Sequence, residues 1–396
     1  MINWKETTLG EACKILSGST PSTEDSSFWD GNISWITPKD LSGFNGTFIE
    51  KGERNITEAG LRNSSAQLLT PNTILFSSRA PIGYVAIAKK ELTTNQGFKN
   101  IVCDEKITHF QFIYYWLKFK SNLIEKRSSG STFSEASASL MRSLEIDLPP
   151  IEEQKEIAGV LSSLDDKIEL LREKNKTLEA TAQAIFKEWF VNFNFPGATD
   201  KMIDSELGEI PEGWRAGKLG EEVKIVMGQS PSGESYNENE NGEVFFQGRT
   251  DFSDRFPQVR LYTTEPKRMA ERFDVLVSVR APVGDINVAS ERCCIGRGLA
   301  AVRSDYKSYA LYKIKSLKDA FNKFEAEGTV FGSINKDSFL NIEALIPATE
   351  VVKSFDGFAN SLDEKIFNNY SQIQNLSTLR DTLLPKLMNG ELKIRN

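Results

Sequence analysis

Residues 151–193 read IEEQKEIAGVLSSLDDKIELLREKNKTLEATAQAIFKEWFVNF. Taken in alternating steps of four and three, this stretch places Ile157, Leu161, Leu164, Ile168, Leu171, Asn175, Leu178, Ala182, Ile185 and Trp189 on one stripe. The spacing predicts a coiled-coil seam with a single polar interruption at Asn175. Neither Pro nor Gly falls between Gly159 and Phe193, so the helix extends to a rod of ~50 Å at 1.5 Å per residue. A lone rod of that length cannot hide its stripe and needs a second helix.

The same chain supplies one. Residues 351–388 carry Phe355, Ala359, Leu362, Ile366, Asn369, Ile373, Leu376, Leu383 and Leu387 on a similar spacing. Within it, SLDEKI at 361–366 repeats SLDDKI at 163–168, an offset of 198. That offset also takes Glu145 to Glu343 and Pro149 to Pro347. Upstream, SRAPIG at 78–83 returns as VRAPVG at 279–284, GSTP at 18–21 as GQSP at 228–231, and Leu9-Gly10 as Leu219-Gly220. An ordered series of matches with a slowly drifting offset marks a tandem duplication of one globular head followed by one long helix.

The expected order is a first head over 1–150, a helical region over 151–194, a linker over 195–213, a second head over 214–347, and a second helical region with a closing segment over 348–396. The fold class is α/β: two similar mixed α/β domains joined by two long helices packed as an antiparallel coiled coil. Strands are expected at 32–36, 73–77 and 83–88 of the first head and at 243–246 and 272–279 of the second. Aromatic-rich helices are expected at 110–119 and 309–324, and the polar run 127–138 reads as a loop. Residues 130–133 have a counterpart in 328–334.

Composition bounds the function. A hydrophobic fraction of 39% and a charged fraction of 26% suit a water-soluble protein, and no run approaches the ~20 apolar residues of a membrane span. The N-terminus lacks the pattern of a secretory peptide, and the four cysteines have no metal-ligand spacing, so a cytoplasmic protein is expected. The net charge of -7 is not shared evenly. Residues 1–150 carry 16 charges of each sign and 213–347 carry 19 of each, whereas 151–212 carry 7 basic and 14 acidic. Neutral heads can still present one basic face.

No catalytic constellation assembles. The chain has no GxxxxGK[ST] loop, no HExxH, no Asn/Asp-Pro-Pro-Tyr/Phe tetrapeptide and no glycine-rich cofactor turn. His109, the single histidine, reads as a helix-start residue. The repeated RAP[IV]G element is the strongest local signal, with Pro and Gly fixing a tight connection after a strand. Arg79 and Arg280 in it either satisfy a local carboxylate or offer a guanidinium to phosphate or base edges.

Other candidates lie at matched positions with different chemistry: Lys39 against Thr250, Gln96 against Arg297, and Gln247 and Arg249 against Ile36 and Pro38. Amides and guanidinium groups can pair with adenine and guanine edges. Ser78 adjoins Arg79, and Lys126 with Arg127 makes a possible phosphate-facing patch or a plain solvated one. Trp35, Tyr114, Tyr115, Trp116 and Phe246 belong to cores by periodicity rather than to base stacking.

With these residues in view, the chain resembles the specificity subunit of type I restriction-modification enzymes over nearly its whole length. The signatures are LPPIEEQKEI at 148–157, SLDDKI at 163–168, AIFKEWF at 184–190, IPEGW at 210–214 and TLLPKLMNGEL at 382–392. The second copy departs from the pattern, IPATEV at 346–351 having lost one proline and the glutamine.

The resemblance implies a noncatalytic reader of double-stranded DNA, each head taking one half of a bipartite, asymmetric site. It implies two methyltransferase subunits that bind S-adenosylmethionine and methylate adenine. Separate motor-nuclease restriction subunits would use ATP and magnesium, and no membrane is involved. Phe186 and Phe190, lying off the seam, are candidates for holding the methyltransferase or for capping a neighbouring head. Two other classes stay open: a coiled-coil scaffold that binds only proteins, and a restriction or methyl-transfer enzyme complete in this chain.

Overall fold

The computed structural model describes residues 4–128, 135–326 and 332–394. The matched stretches at 130–133 and 328–331 lie outside them. The chain divides into two compact bodies, Met1–Arg172 with Ser371–Asn396, and Glu173–Tyr370. Each holds one head and a pair of segments from the two long helices, Ile151–Phe190 and Thr349–Met388.

The first head is built on a five-stranded sheet in the order Cys13–Ser17, Phe98–Cys103, Ile74–Ser77, Val85–Ala88 and Phe48–Ile49, antiparallel except for the last pair. A three-stranded sheet of Arg54–Ile56, Trp29–Ile36 and Thr93–Thr94 lies beside it, and Lys5–Thr8 pairs with Glu145–Leu148. The aromatic helix runs over Phe110–Ser128, longer than its apolar core predicts. Its residues Phe112, Ile113, Tyr114, Tyr115, Trp116 and Leu117 are consecutively buried, since neighbours cover more than one of its faces.

The second head repeats this plan. Its four-stranded sheet takes Lys224–Met227, Leu299–Arg303, Val275–Ser278 and Ile286–Val288, and its five-stranded sheet centres on Glu243–Phe246 and Cys293–Ile295. Arg215–Lys218 pairs with Glu343–Ile346, as the corresponding terminal strands do in the first head. The aromatic helix is broken into Lys307–Ser316 and Lys318–Ala326.

Within each body the long-helix segments run antiparallel. In the first, Ile157 and Leu161 share a core with Leu387, while Ile168 and Leu171 meet Ile373 and Leu376. In the second, Leu178 and Ala182 pack in one core with Phe355, Leu362 and Ile366. The seam holds, with Leu164, Leu178, Leu376 and Leu383 only half-buried.

Residues 195–213, expected as a linker, contain a hairpin of Met202–Ser205 with Gly208–Pro211. Gly208 sits at φ 95° in its turn, a conformation glycine adopts without steric cost. The first long helix stops just before it. There the side-chain amides of Asn192 and Asn194 donate to Glu188 at 2.7 and 2.9 Å, and Phe193 turns to φ 63°.

Candidate nucleic-acid interface

Four loops converge at one edge of the first head. The Asn95–Gly97 turn is tied on three sides: Asn95 N–H donates to the Ile36 carbonyl, Ser19 N–H to Thr94, and Ser78 N–H to Gly97 at 2.7 Å. Gly18 must be glycine here, because a Cβ would overlap the carbonyl of Asn95. The third loop, Thr37–Asp40, is closed by Asp40, whose carboxylate accepts from Thr37 N–H at 2.7 Å and from Glu53 N–H at 2.7 Å. The fourth is RAPIG itself. Ser77 Oγ donates to the Pro81 carbonyl at 2.8 Å and accepts from Tyr84 N–H at 2.8 Å.

The second head assembles the same four loops with the same bonds. Gly296 N–H donates to Phe246, Gln229 N–H to Ile295 and Val279 N–H to Gly298, and a Cβ on Gly228 would strike Gly296. Ser278 Oγ donates to Pro282 at 2.7 Å and accepts from Asp285 N–H at 2.9 Å. Asp251 closes the Gly248–Asp251 turn by accepting from Gln247 N–H at 2.7 Å. Because Ile36 and Phe246 hold equal places in the strands while Thr37 and Gly248 hold equal places in the caps, Gln247 is an extra residue at the loop's base.

The candidate readers are placed as follows. Gln96, Gln247 and Arg297 are exposed on these loops. Gln96 accepts from Thr20 Oγ1, and the Arg297 backbone N–H donates to Ser230 Oγ at 3.2 Å. Three cations are exposed but paired: Lys39 with Glu53 at 2.8 Å, Arg79 with Glu135 at 3.2 Å, and Arg249 with Asp285. Such pairs hold a side chain in place at a net worth of about 0–1 kcal/mol, so a ligand can displace them. Arg280 is exposed beside Ser333. Lys126 and Arg127 stand exposed on the last turn of the aromatic helix, which passes the RAPIG loop at Ser121.

Ser78 corrects its expectation. It is fully buried, and its hydroxyl donates to the Gly97 carbonyl at 3.1 Å, so it holds two loops together and presents nothing outward. Trp35, Tyr114, Tyr115, Trp116 and Phe246 are buried as expected of core residues. Sequence reading passed over Glu135, Lys99 and Asp285, the charged partners inside the loop cluster, because none stands in a repeated motif.

Phe186 and Phe190 also receive a correction. Both are buried, with ring centroids 4.8 Å apart and packed on Tyr309, Tyr312, Phe355 and Trp214. Of the two roles weighed, capping of the adjacent head matches these contacts. A surface for a partner does not, since the rings are already covered.

Polar pins join each head to its helices. Gln154 donates to the Pro149 and Ile107 carbonyls at 2.9 and 3.0 Å and accepts from His109 N–H at 2.9 Å. The second copy has lost that glutamine, and Asp356 takes over by accepting from Tyr309 N–H at 3.0 Å. His109 thus serves at a helix start, and burial together with the charge of Lys155 pushes its pKa down. About three turns beyond Gln154 and two beyond Asp356 along their helices, Tyr115 and Arg380 donate to Asp165 at 2.8 and 2.6 Å, while Tyr312 and Arg255 donate to Asp363 at 3.0 and 2.5 Å. Burial, reinforced by the adjacent carboxylate, raises the pKa of both tyrosines.

Residues 1–180 match the family described as the type I restriction modification DNA specificity domain. The chain is 34% identical to the type I restriction enzyme MjaIX specificity subunit of Methanocaldococcus jannaschii, covering 99% of this chain and 94% of that one. This chain belongs to the type I specificity-subunit family. The HindI specificity subunit of Haemophilus influenzae is 24% identical over 99% of this chain and its own full length. The fold is shared with the crystal structure of a type I restriction-modification system S subunit from M. genitalium, at a TM-score of 0.63 and 19% identity over 98% of this chain and 96% of that one.

Membership covers both heads and both long helices, with Gln154 and Asp165 inside the signature stretches and performing the pinning just described. Among the described residues, no group of three or more His, Cys, Asp or Glu side chains is placed to hold a metal, and no helix is long and apolar enough to cross a membrane. All four cysteines are free thiols.

Proposed function

We propose that this specificity subunit is a noncatalytic reader of a bipartite, asymmetric double-stranded DNA site, each head addressing one half through its loop cluster. The observation that carries the reading is the pairing of a repeated loop scaffold with unlike outward groups. Gln96 stands where Arg297 stands, Lys39 corresponds to Thr250 and Pro38 to Arg249, and Gln247 has no counterpart. Base edges are discriminated by such donors and acceptors, whereas a shared scaffold fixes placement.

The long helices set the spacing of the half-sites and hold two methyltransferase subunits, which bring S-adenosylmethionine and methylate adenine. Motor-nuclease restriction subunits, using ATP and magnesium, complete the assembly in the cytoplasm. Near-neutral heads accord with this division, because partners supply much of the positive field that phosphates require. Methylation sequencing of a methyltransferase-null host expressing this chain with its methyltransferase tests the reading. A bipartite adenine motif supports it, and the absence of any motif returns the chain to a protein-only scaffold.

A further inference from the structure

The two RAP[IV]G arginines occupy the same backbone position but different electrostatic settings. Arg79 forms an isolated antiparallel bridge with Glu135, and Arg280 forms the same bridge with Ser333. In the first head the Glu135 carboxylate takes Arg79 Nε at 3.2 Å on one oxygen and Lys99 Nζ at 3.0 Å on the other. Lys99 has only 6% of its side chain exposed, and its ammonium also donates to Ser78 Oγ at 3.3 Å. The second head has no such arrangement. Strand register puts Ala300 where Lys99 stands and Ser333 where Glu135 stands. Among the described residues the Arg280 side chain meets no carboxylate.

We propose that Glu135 is an internal competitor for phosphate at Arg79, so that the two heads grip the DNA backbone unequally, the second through an Arg280 that meets no carboxylate among the described residues. The inference rests on the loop cluster facing DNA. Lys99 is the reason for the asymmetry. A buried ammonium must be compensated, and the carboxylate that compensates it has a second oxygen aimed at Arg79. A phosphate reaching Arg79 has to displace that oxygen and approach a fixed negative charge, whereas among the described residues no carboxylate stands at Arg280. Glu135 therefore acts through Arg79 as a positioning residue, and its effect must vanish when Arg79 is absent.

The test measures binding of the chain in complex with its methyltransferase to a duplex of randomised sequence over a salt series. Glu135→Gln keeps an acceptor for Lys99 and should tighten binding about two- to fivefold, the scale of an exposed ion pair. It should also steepen the salt slope by about 0.9, the value for one further phosphate contact. Glu135→Asp should stay near the parent. Arg79→Ala should change binding less than twofold, and adding Glu135→Gln to it should give no further gain. Arg280→Ala should flatten the slope by about 0.9. Ser333→Glu, on an exposed position of the second head, should weaken binding without touching Lys99, which keeps the test open should Glu135→Gln fold poorly. An unchanged slope in both Glu135→Gln and Ser333→Glu, or a gain from Glu135→Gln that persists without Arg79, overturns the proposal. If Arg280→Ala is silent while a methylation motif is still read, the DNA-facing assignment of this loop falls, and the proposal with it.

Discussion

Asn369 donates its side-chain amide to Asn175 Oδ1 at 2.8 Å, and Asn175 donates in turn to the Ile366 carbonyl at 3.3 Å. The one polar residue on the first seam thus meets a polar residue of the second. A pair of this kind fixes register at some cost in stability, because an apolar pair would bury more favourably.

Replacing Asn369 alone by Leu strands the Asn175 amide oxygen and should cost about 1–3 kcal/mol. The double change Asn175→Leu with Asn369→Leu should restore or exceed the parent melting temperature. It should also loosen the register, so that methylation of a library varying the spacer between half-sites accepts more than one spacer length. Unbroadened spacer use in the double variant would remove the register role from this pair.

The Asp165 and Asp363 pins predict an ordered series of losses. Tyr115→Phe removes one bond from a carboxylate still held by Arg380 and should cost about 1 kcal/mol. Asp165→Leu leaves a largely buried guanidinium without its main partner and should cost about 3–5 kcal/mol. Tyr312→Phe and Asp363→Leu should follow the same order in the second body. Urea unfolding monitored with a probe in each body separates the two series.

Phe186→Ser and Phe190→Ser should each destabilise the second body by about 3–5 kcal/mol, the range for emptying a buried phenylalanine site. Hydrogen exchange should then show protection lost across Glu173–Tyr370 before Met1–Arg172. Any weakening of methyltransferase co-purification should parallel that loss. A variant that melts like the parent yet fails to assemble would contradict the packing role.

What was legible followed from periodicity and repetition. The seam from Ile157 to Trp189, the second helix, the strand positions and the duplicated RAP[IV]G loops could be read because each is a pattern of residue types at fixed spacing. Apolar periodicity is blind to Gln154, Asp165 and Asp363, which lie on the buried side of the helices as polar pins. A two-helix view placed Phe186 and Phe190 off the seam, whereas a head packs there as a third wall. The hairpin at Met202–Ser205 and Gly208–Pro211 escaped because acidic residues interrupt its alternation. Which loop groups pair with one another depends on close approach across residues 20 to 135, and spacing along the chain does not encode it.

We propose that one scaffold, used twice, reads two different half-sites. Methylation of a randomised duplex library by the purified methyltransferase complex tests it most directly, comparing the parent with Gln96→Ala and Arg297→Ala alongside thermal melts. A lost base-edge contact should relax preference at its own position by about 1–3 kcal/mol. Arg297→Ala should relax only the half read by the second head and Gln96→Ala only the other, with melting temperatures unchanged. Base preferences unaltered in both halves by both variants would contradict it.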